Sequence, residues 1–236
     1  MSILYPERVF SRSSAREIDR RAIEHYRLPG IVLMENASRG LAGHAMKMLN
    51  WPNQTQDGNV LILAGPGNNG GDGFAAARHL RNAGLNVTIV LITPPARING
   101  DAGTMLEVCR AMRLTIIEAF ENPTSLSALP SHDLVIDALL GTGVTQPVRD
   151  PIAAAIHWLN TGQDAPVLAC DVPSGLDCDT GQPLGIAVRA DATVTFVGVK
   201  RGFLEPEARR FTGEVKIVPI GVPRELVEEL GQRLKE

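Results

Sequence analysis

The stretch that decides the fold is Val60-Leu61-Ile62-Leu63-Ala64-Gly65-Pro66-Gly67-Asn68-Asn69-Gly70-Gly71-Asp72-Gly73. An apolar run of strand character stops in a turn with five glycines, and Phe74-Ala75-Ala76-Ala77-Arg78-His79-Leu80 then reads as a helix. Strand, glycine loop and helix in that order turn backbone N–H groups toward an anion at the helix N-terminus. Glycines are expected there because the turn calls for positive φ and because a side chain would block close approach of a ligand to the backbone. Gly65, Gly67 and Gly70 match the G-x-G-x-x-G spacing of a dinucleotide fingerprint. A plain turn in which Asp72 caps the helix meets the same spacing.

The surroundings narrow the choice. A P-loop ends in Gly-Lys-Ser/Thr, and this loop has no lysine, which argues against simple nucleotide hydrolysis. A redox dinucleotide site expects a carboxylate about 20 residues on, at the end of the next strand. Here Asn86-Val87-Thr88-Ile89-Val90-Leu91-Ile92 runs into Thr93-Pro94-Pro95 without one, which disfavours a nicotinamide oxidoreductase. The loop carries its own polar groups instead, Asn68, Asn69 and Asp72.

Around that stretch the chain alternates strand and helix. Strands are expected at about 59–64, 86–92, 114–118, 133–138, 166–171, 191–198 and 214–219. Helices are expected at about 73–84, 101–112, 124–129, 151–160 and 223–235. The strands are short, β-branched and almost continuously apolar, as in a parallel sheet covered on both faces. Right-handed crossovers then build a doubly wound, mostly parallel sheet in three layers with one ligand edge. Two further helices precede the first strand. Ser14-Ala15-Arg16-Glu17 has capping-box form and opens one through about Tyr26, and a more apolar one spans about 31–49. These two could supply a dimer contact or pack on the chain's own sheet. No repeat or linker divides the 236 residues, so one domain over 1–236 is expected.

Composition agrees with a globular enzyme: 44% hydrophobic and 21% charged residues. A net charge of -3 gives no electrostatic reason to bind nucleic acid or an anionic membrane. Three cysteines without a C-x-x-C pair fit a reducing compartment rather than a disulfide scaffold or zinc site. The first eight residues lack a signal-peptide core, so a cytoplasmic location is expected.

Ligands in doubly wound sheets bind outside the carboxyl ends of the strands. Four polar features fall there. They are the glycine loop; Asp137 with the loop 138–147; Asp171 with Val172-Pro173-Ser174-Gly175-Leu176-Asp177; and Lys200 after the strand 193–198. Any one alone fits a turn or cap, but together they point to a site. The five histidines lie on helices or before a strand, and Ser174 lacks a G-x-S-x-G elbow, which speaks against a histidine base or a serine triad. Cys170 reads as a buried strand residue, and Asp177 and Asp179 as turn formers.

The blocks Leu33-Met34-Glu35-Asn36-Ala37, Gly67 to Gly73, Val135 to Gly143 and Asp171 to Asp177, with the strand before Lys200, are similar to those of the YjeF N-terminal domain proteins, the NAD(P)H-hydrate epimerases. The resemblance covers nearly the full length, and it implies a Rossmann-like fold and epimerisation of the R and S forms of hydrated NADH or NADPH. The chain looks like a free-standing epimerase or an isolated N-terminal part of a fusion. Carried over motif by motif, the substrate-binding residues are Asn68, Asn69, Gly70, Gly71 and Asp72, then Gly141, Thr142, Gly143, Val144, Thr145, Gln146 and Pro147, and Asp171. The resemblance also implies a potassium ion held by Asn69, Asp137 and Ser174, oxygen donors with one formal carboxylate between them. A homodimer is expected. Relatives of the fold also serve as non-catalytic binding modules, which is the alternative, though every block here is intact.

The hydrate carries a hydroxyl on nicotinamide ring carbon 6 beside nitrogen. Losing that hydroxyl gives a nitrogen-stabilised iminium, and ring opening gives an aldehyde; either erases the stereocentre. The reaction needs a proton donor and acceptor there and a rigid hold on the rest of the dinucleotide. Asp171 is the expected acid/base, with Lys200 orienting it or pairing with phosphate.

Overall fold

The computed structural model describes residues 8–53 and 58–233. Residues 1–7, where no signal-peptide core is expected, and the last residues of the expected 223–235 helix lie outside that range. The elements run β1 (Arg8–Phe10), α1 (Arg12–Glu24), α2 (Gly30–Met48), β2 (Asn59–Ala64), α3 (Asn68–Asn82), β3 (Asn86–Leu91), α4 (Gly100–Ala111) and β4 (Thr115–Glu118). They continue with β5 (Leu134–Ala138), α5 (Ile152–Thr161), β6 (Val167–Cys170), β7 (Ala192–Phe196), β8 (Val199–Lys200), α6 (Arg209–Thr212), β9 (Glu214–Val218), α7 (Arg224–Leu230) and β10 (Gln232–Arg233).

Seven strands form one sheet in the order β4-β3-β2-β5-β6-β7-β9, every pair parallel. The order reverses between β2 and β5, so the loops after these two strands leave in opposite directions and open a crevice between them. The period of two along β2 sorts its side chains into two cores. Val60, Ile62 and Ala64 join α2, α3 and α4 on one face, while Leu61 and Leu63 join α5 and the segment Pro123–Ala128 on the other. The expected three-layered, doubly wound sheet is what forms.

Of the two helices that precede the sheet, α2 lies on it. It buries Leu33, Met34, Ala37, Leu41, Ala42 and Ala45, and at Gly40 a side chain would collide with Val218 of β9. Helix α1 packs on α7. It begins earlier than expected, because Ser11 rather than Ser14 is the N-cap: Ser11 Oγ accepts from Ser14 N–H, and Ser14 Oγ accepts from Ser11 N–H at 2.9 Å. Three short strands escaped the sequence pattern. β1 pairs antiparallel with β10 and parallel with β8, forming a small second sheet. Two or three residues are too few for alternation to register. The 124–129 segment forms only a 3-10 turn, Pro123–Ala128.

The glycine loop itself departs from expectation. Helix α3 starts at Asn68, so Gly70, Gly71 and Gly73 lie inside its first turns, and no glycine from Gly65 to Gly73 has positive φ. Close packing is what requires glycine here. A Cβ on Gly65 would strike the carbonyl oxygen of Leu139, and one on Gly70 the carbonyl oxygen of Gly65. Gly65 therefore lets the β2–α3 turn and the loop after β5 touch backbone to backbone, and Gly70 lets the turn fold tightly on itself.

Candidate active-site cleft

A cavity of about 470 Å³ opens at the carboxyl ends of β2, β5 and β6. Asn68, Asn69 and Asp72 reach it from α3, Gly141, Thr142, Gly143 and Val144 from the loop after β5, and Asp171 and Lys200 from the far side. The sequence thus brought nine of its expected residues into one cleft. Gly70 and Gly71 are buried within α3 and do not line it. Thr145, Gln146 and Pro147 turn to the other side of their loop and line a separate open groove. Asp137 and Ser174 lie beneath, both fully buried.

Helix α3 meets the cleft with its N-terminus. Its N-cap is Gly67, and no side chain caps it, which leaves first-turn N–H groups and the positive end of the helix dipole available to an anion.

Asp171 is set by backbone strain. Val172 N–H bonds back to Cys170 O at 2.8 Å across Asp171, whose φ is +62°. One strand over, Gly198 N–H bonds to Phe196 O at 2.8 Å across Val197, with φ +68°. An i to i+2 bond across a positive-φ residue is the rare, strained form of γ-turn, and a β-branched valine at its apex is unusual. Two such turns end β6 and β7 and throw both residues into the cleft wall. Strain of this kind persists only where the surroundings hold it. The holding group is Lys200, 3% exposed, whose Nζ donates to Asp171 Oδ1 at 2.7 Å, Thr195 Oγ1 at 2.9 Å and Phe196 O at 3.1 Å. All three ammonium protons are used, so Lys200 orients Asp171 and has none left for a phosphate. Asp171 Oδ1 also accepts from Phe196 N–H and Thr195 Oγ1, while Oδ2 bonds to nothing among the described residues.

Beneath the cleft, Asp137 accepts from Ser174 Oγ at 2.5 Å, Ser174 N–H at 2.8 Å and Leu139 N–H at 3.2 Å. Burial pushes its pKa up to about 6 against the pull of these donors. Ser174 Oγ accepts from Leu140 N–H, and Asn69 Nδ2 donates to Leu140 O at 3.0 Å. Asn69, Asp137 and Ser174 are thus tied together around Leu140. A carboxyl buried this deeply, with no cationic partner among the described residues and with neutral oxygens around it, is a donor set that fits a weakly held monovalent cation.

Several cleft residues were not among those expected at the site. Phe10 comes from the unforeseen β1, Met34 from α2, Asp101 from α4, and Arg16 and Asp19 from α1. Asp19 was findable: it stands four residues from both Ala15 and Ile23 on the row that faces the cleft, a carboxylate in an otherwise apolar line. Its own surface is largely open, yet cleft walls surround it, and that enclosure, with Asp171 opposite, pushes its pKa up to about 6 despite the opposing pull of Lys200. Arg12, at the start of α1, ties the cleft rim together. Its guanidinium donates to Thr142 O, Val144 O and Asp177, and approaches Asp179. Asp177 Oδ1 also accepts from Asp179 N–H and Thr180 N–H, the turn-forming role expected of it. No histidine lines the cleft.

The model of the YjeF-related protein N-terminus family matches residues 30–202. The chain belongs to this family. An NAD(P)H-hydrate epimerase of Rhodopirellula baltica is 42% identical over 91% of this chain and 84% of its own length. A protein of the same name from Pirellula staleyi is 39% identical over 95% of this chain and 97% of its own length. The bifunctional NAD(P)H-hydrate repair enzyme Nnr of Salinibacter ruber is 39% identical over 95% of this chain, which spans 43% of that longer protein. The crystal structure of the yeast protein YNL200c superposes with a TM-score of 0.80 at 23% identity, over 95% of this chain and 94% of that one, and shows the same fold. The family match begins at the first residue of α2, so β1 and α1, with Phe10, Arg12, Arg16 and Asp19, lie outside it.

Proposed function

We propose that the chain is an NAD(P)H-hydrate epimerase that interconverts the R and S hydrates of NADH or NADPH at ring carbon 6. The observation that carries this reading is the meeting, in one cleft at the sheet's switch point, of an uncapped helix N-terminus and a strained, lysine-held Asp171. The first suits the anionic part of a dinucleotide. The second is an acid/base group with one free oxygen. Relatives that share at least 39% of residues over nearly the whole chain carry the epimerase name.

On this reading the N–H groups at Asn68 and Asn69 hold phosphate, the loop 141–144 closes over the bound molecule, and Asp171 moves the proton at the carbon-6 oxygen. Among the described residues no helix is long and apolar enough to cross a membrane. A potassium ion is assigned by the same reading to Asn69, Asp137 and Ser174, where the buried carboxyl and neutral oxygens fit it. When bound it would supply a fixed positive charge below the cleft. A homodimer also belongs to this reading; Ile23, Tyr26 and Val32 present exposed apolar surface for it.

The test is stereochemical. With NADHX at neutral pH, the protein should speed the approach of the R-to-S ratio to equilibrium well beyond the spontaneous rate, and Asp171→Asn should lower that acceleration about 100- to 10,000-fold. Full turnover in a folded Asp171→Asn variant would remove Asp171 from the chemistry.

A further inference from the structure

Of the carboxyls that line the cleft, Asp72 is the buried one, and it has no hydrogen-bond partner among the described residues. Asp72 lies five residues into α3, 9% exposed, and lines the cavity. Among the described residues it makes no hydrogen bond and no ion pair. Its oxygens open on the cleft rather than on packed core, but a carboxylate held in a largely enclosed pocket without a protein donor is costly to keep ionised. The neutral acid is cheaper, and it carries an O–H with no acceptor among the described residues. Its neighbours push the same way. Burial first, then the charges of Asp171 and of Asp19 on α1, hold the Asp72 carboxyl well above the usual carboxylate range. Cys170 of β6, itself buried and neutral, feels Asp72 as a neighbour. Of the two cations that line the cleft among the described residues, Lys200 is spent on Asp171, Thr195 and Phe196, and Arg16 makes no ion pair with Asp72.

Resting on the epimerase reading above, we propose that Asp72 is the proton donor of the reaction, giving its carboxyl proton to the carbon-6 hydroxyl as that group leaves. The C–O bond breaks with its electron pair on oxygen, which takes the Asp72 proton and departs as water. The ring nitrogen lone pair forms the C=N bond, and the resulting iminium carries one positive charge beside a newly formed Asp72 carboxylate. Water then adds to the opposite face, the C=N electron pair returns to nitrogen, and Asp171, through its free Oδ2, accepts the surplus proton. The opposite epimer runs the same steps in reverse, starting from the form the forward turnover leaves, with the proton on Asp171 and Asp72 as the carboxylate; proton exchange through water connects the two forms. One carboxyl is ion-paired to Lys200 and the other has no hydrogen-bond partner among the described residues, a division of surroundings that suits a pair of carboxyls sharing acid and base work.

The experiment uses the full chain with NADHX as probe. Asp72→Asn keeps size and an N–H donor but has no proton to transfer. Its expected result is a 100- to 10,000-fold fall in kcat with KM changed only a few-fold. Infrared spectra of ligand-free protein at neutral pH should show a carboxylic-acid C=O band that Asp72→Asn removes. In the wild type, kcat/KM should fall as pH rises through the Asp72 titration. A variant that keeps wild-type kcat, or loses affinity alone, overturns the role and leaves Asp72 a positioning hydrogen-bond donor; so does a band that the substitution leaves in place. Asp72→Ala, read the same way, serves if the asparagine variant folds poorly. Wild-type protein that leaves the epimer ratio at its spontaneous rate overturns the epimerase reading itself. That outcome is distinct from an active wild type with an equally active Asp72→Asn.

Discussion

Asp137, at the end of β5, is fully enclosed and accepts three hydrogen bonds, two from Ser174 and one from Leu139 N–H. Asp72, on α3 above it, is almost as buried and accepts none among the described residues. Both are carboxyls at the switch point of one sheet, yet the first is bound into the loops around it and the second faces an opening. A buried acid with a full set of donors serves the fold, because removing it orphans those donors. A buried acid without donors costs stability and persists where a ligand will use it. The contrast separates, within a single cluster of loops, what holds the cleft from what works in it.

The sharpest way to break that contrast is to delete both side chains. Asp137→Ala should cost about 2–4 kcal/mol, since the Ser174 N–H and hydroxyl and the Leu139 N–H lose their acceptor out of reach of water. Loss of a costly buried carboxyl offsets part of this. Asp72→Ala should leave stability within about 1 kcal/mol or raise it, because no partner is orphaned. Urea midpoints at constant m check both. Equal losses would mean that Asp72 is as structural as Asp137.

A smaller effect is expected at the rim. Arg12, only 15% exposed at its side chain, joins α1 to the carbonyls of Thr142 and Val144 and to Asp177. Arg12→Ala should cost about 1–3 kcal/mol for the charge-assisted bonds lost. It should also raise KM for NADHX several-fold with little change in kcat, since it frees the 142–144 backbone without touching Asp72 or Asp171. Unchanged KM would show that the loop holds its shape without α1.

The sheet was legible because strand and helix periodicities are long-range averages over many residues, and β2 to β9 carry them clearly. The ligand edge was legible for the same reason: once the strands are placed, their carboxyl ends are placed. What escaped were contacts between segments distant in sequence. Nothing in Arg8-Val9-Phe10 announces that it will pair with Val199 and Gln232. Positive φ was a reasonable demand for five glycines in a loop, yet here Gly65 serves contact with the loop after β5 and Gly70, Gly71 and Gly73 serve close packing, which a single sequence does not display. The strain sits instead at Asp171 and Val197, residues whose type alone does not suggest it. The partnerless state of Asp72 was likewise invisible, since partners are a property of the folded neighbourhood.

The smallest expected effect concerns Asp19, the exposed carboxyl on α1 that faces both Asp72 and Asp171. Its folded-state pKa of about 6 exceeds the roughly 3.9 of an unfolded aspartate, so the folded chain binds this proton more tightly. Stability therefore falls as pH rises through the window from about 4 to 6, and the penalty is complete above it. Taken whole, such a rise would be worth about 3 kcal/mol, but Asp19 is open to solvent, and screening should leave less than about 1 kcal/mol. Asp19→Asn should accordingly stabilise the protein slightly at pH 7.5 and not at all at pH 4, as paired urea titrations would show. The same substitution removes a negative neighbour of Asp72, so the alkaline fall of kcat/KM should move to lower pH while its plateau changes little. A stability gain that persists at pH 4 would trace to helix propensity rather than charge. An alkaline limb that stays in place would mean the two carboxyls do not sense each other, and that the acidity of Asp72 is set by burial and Asp171 alone.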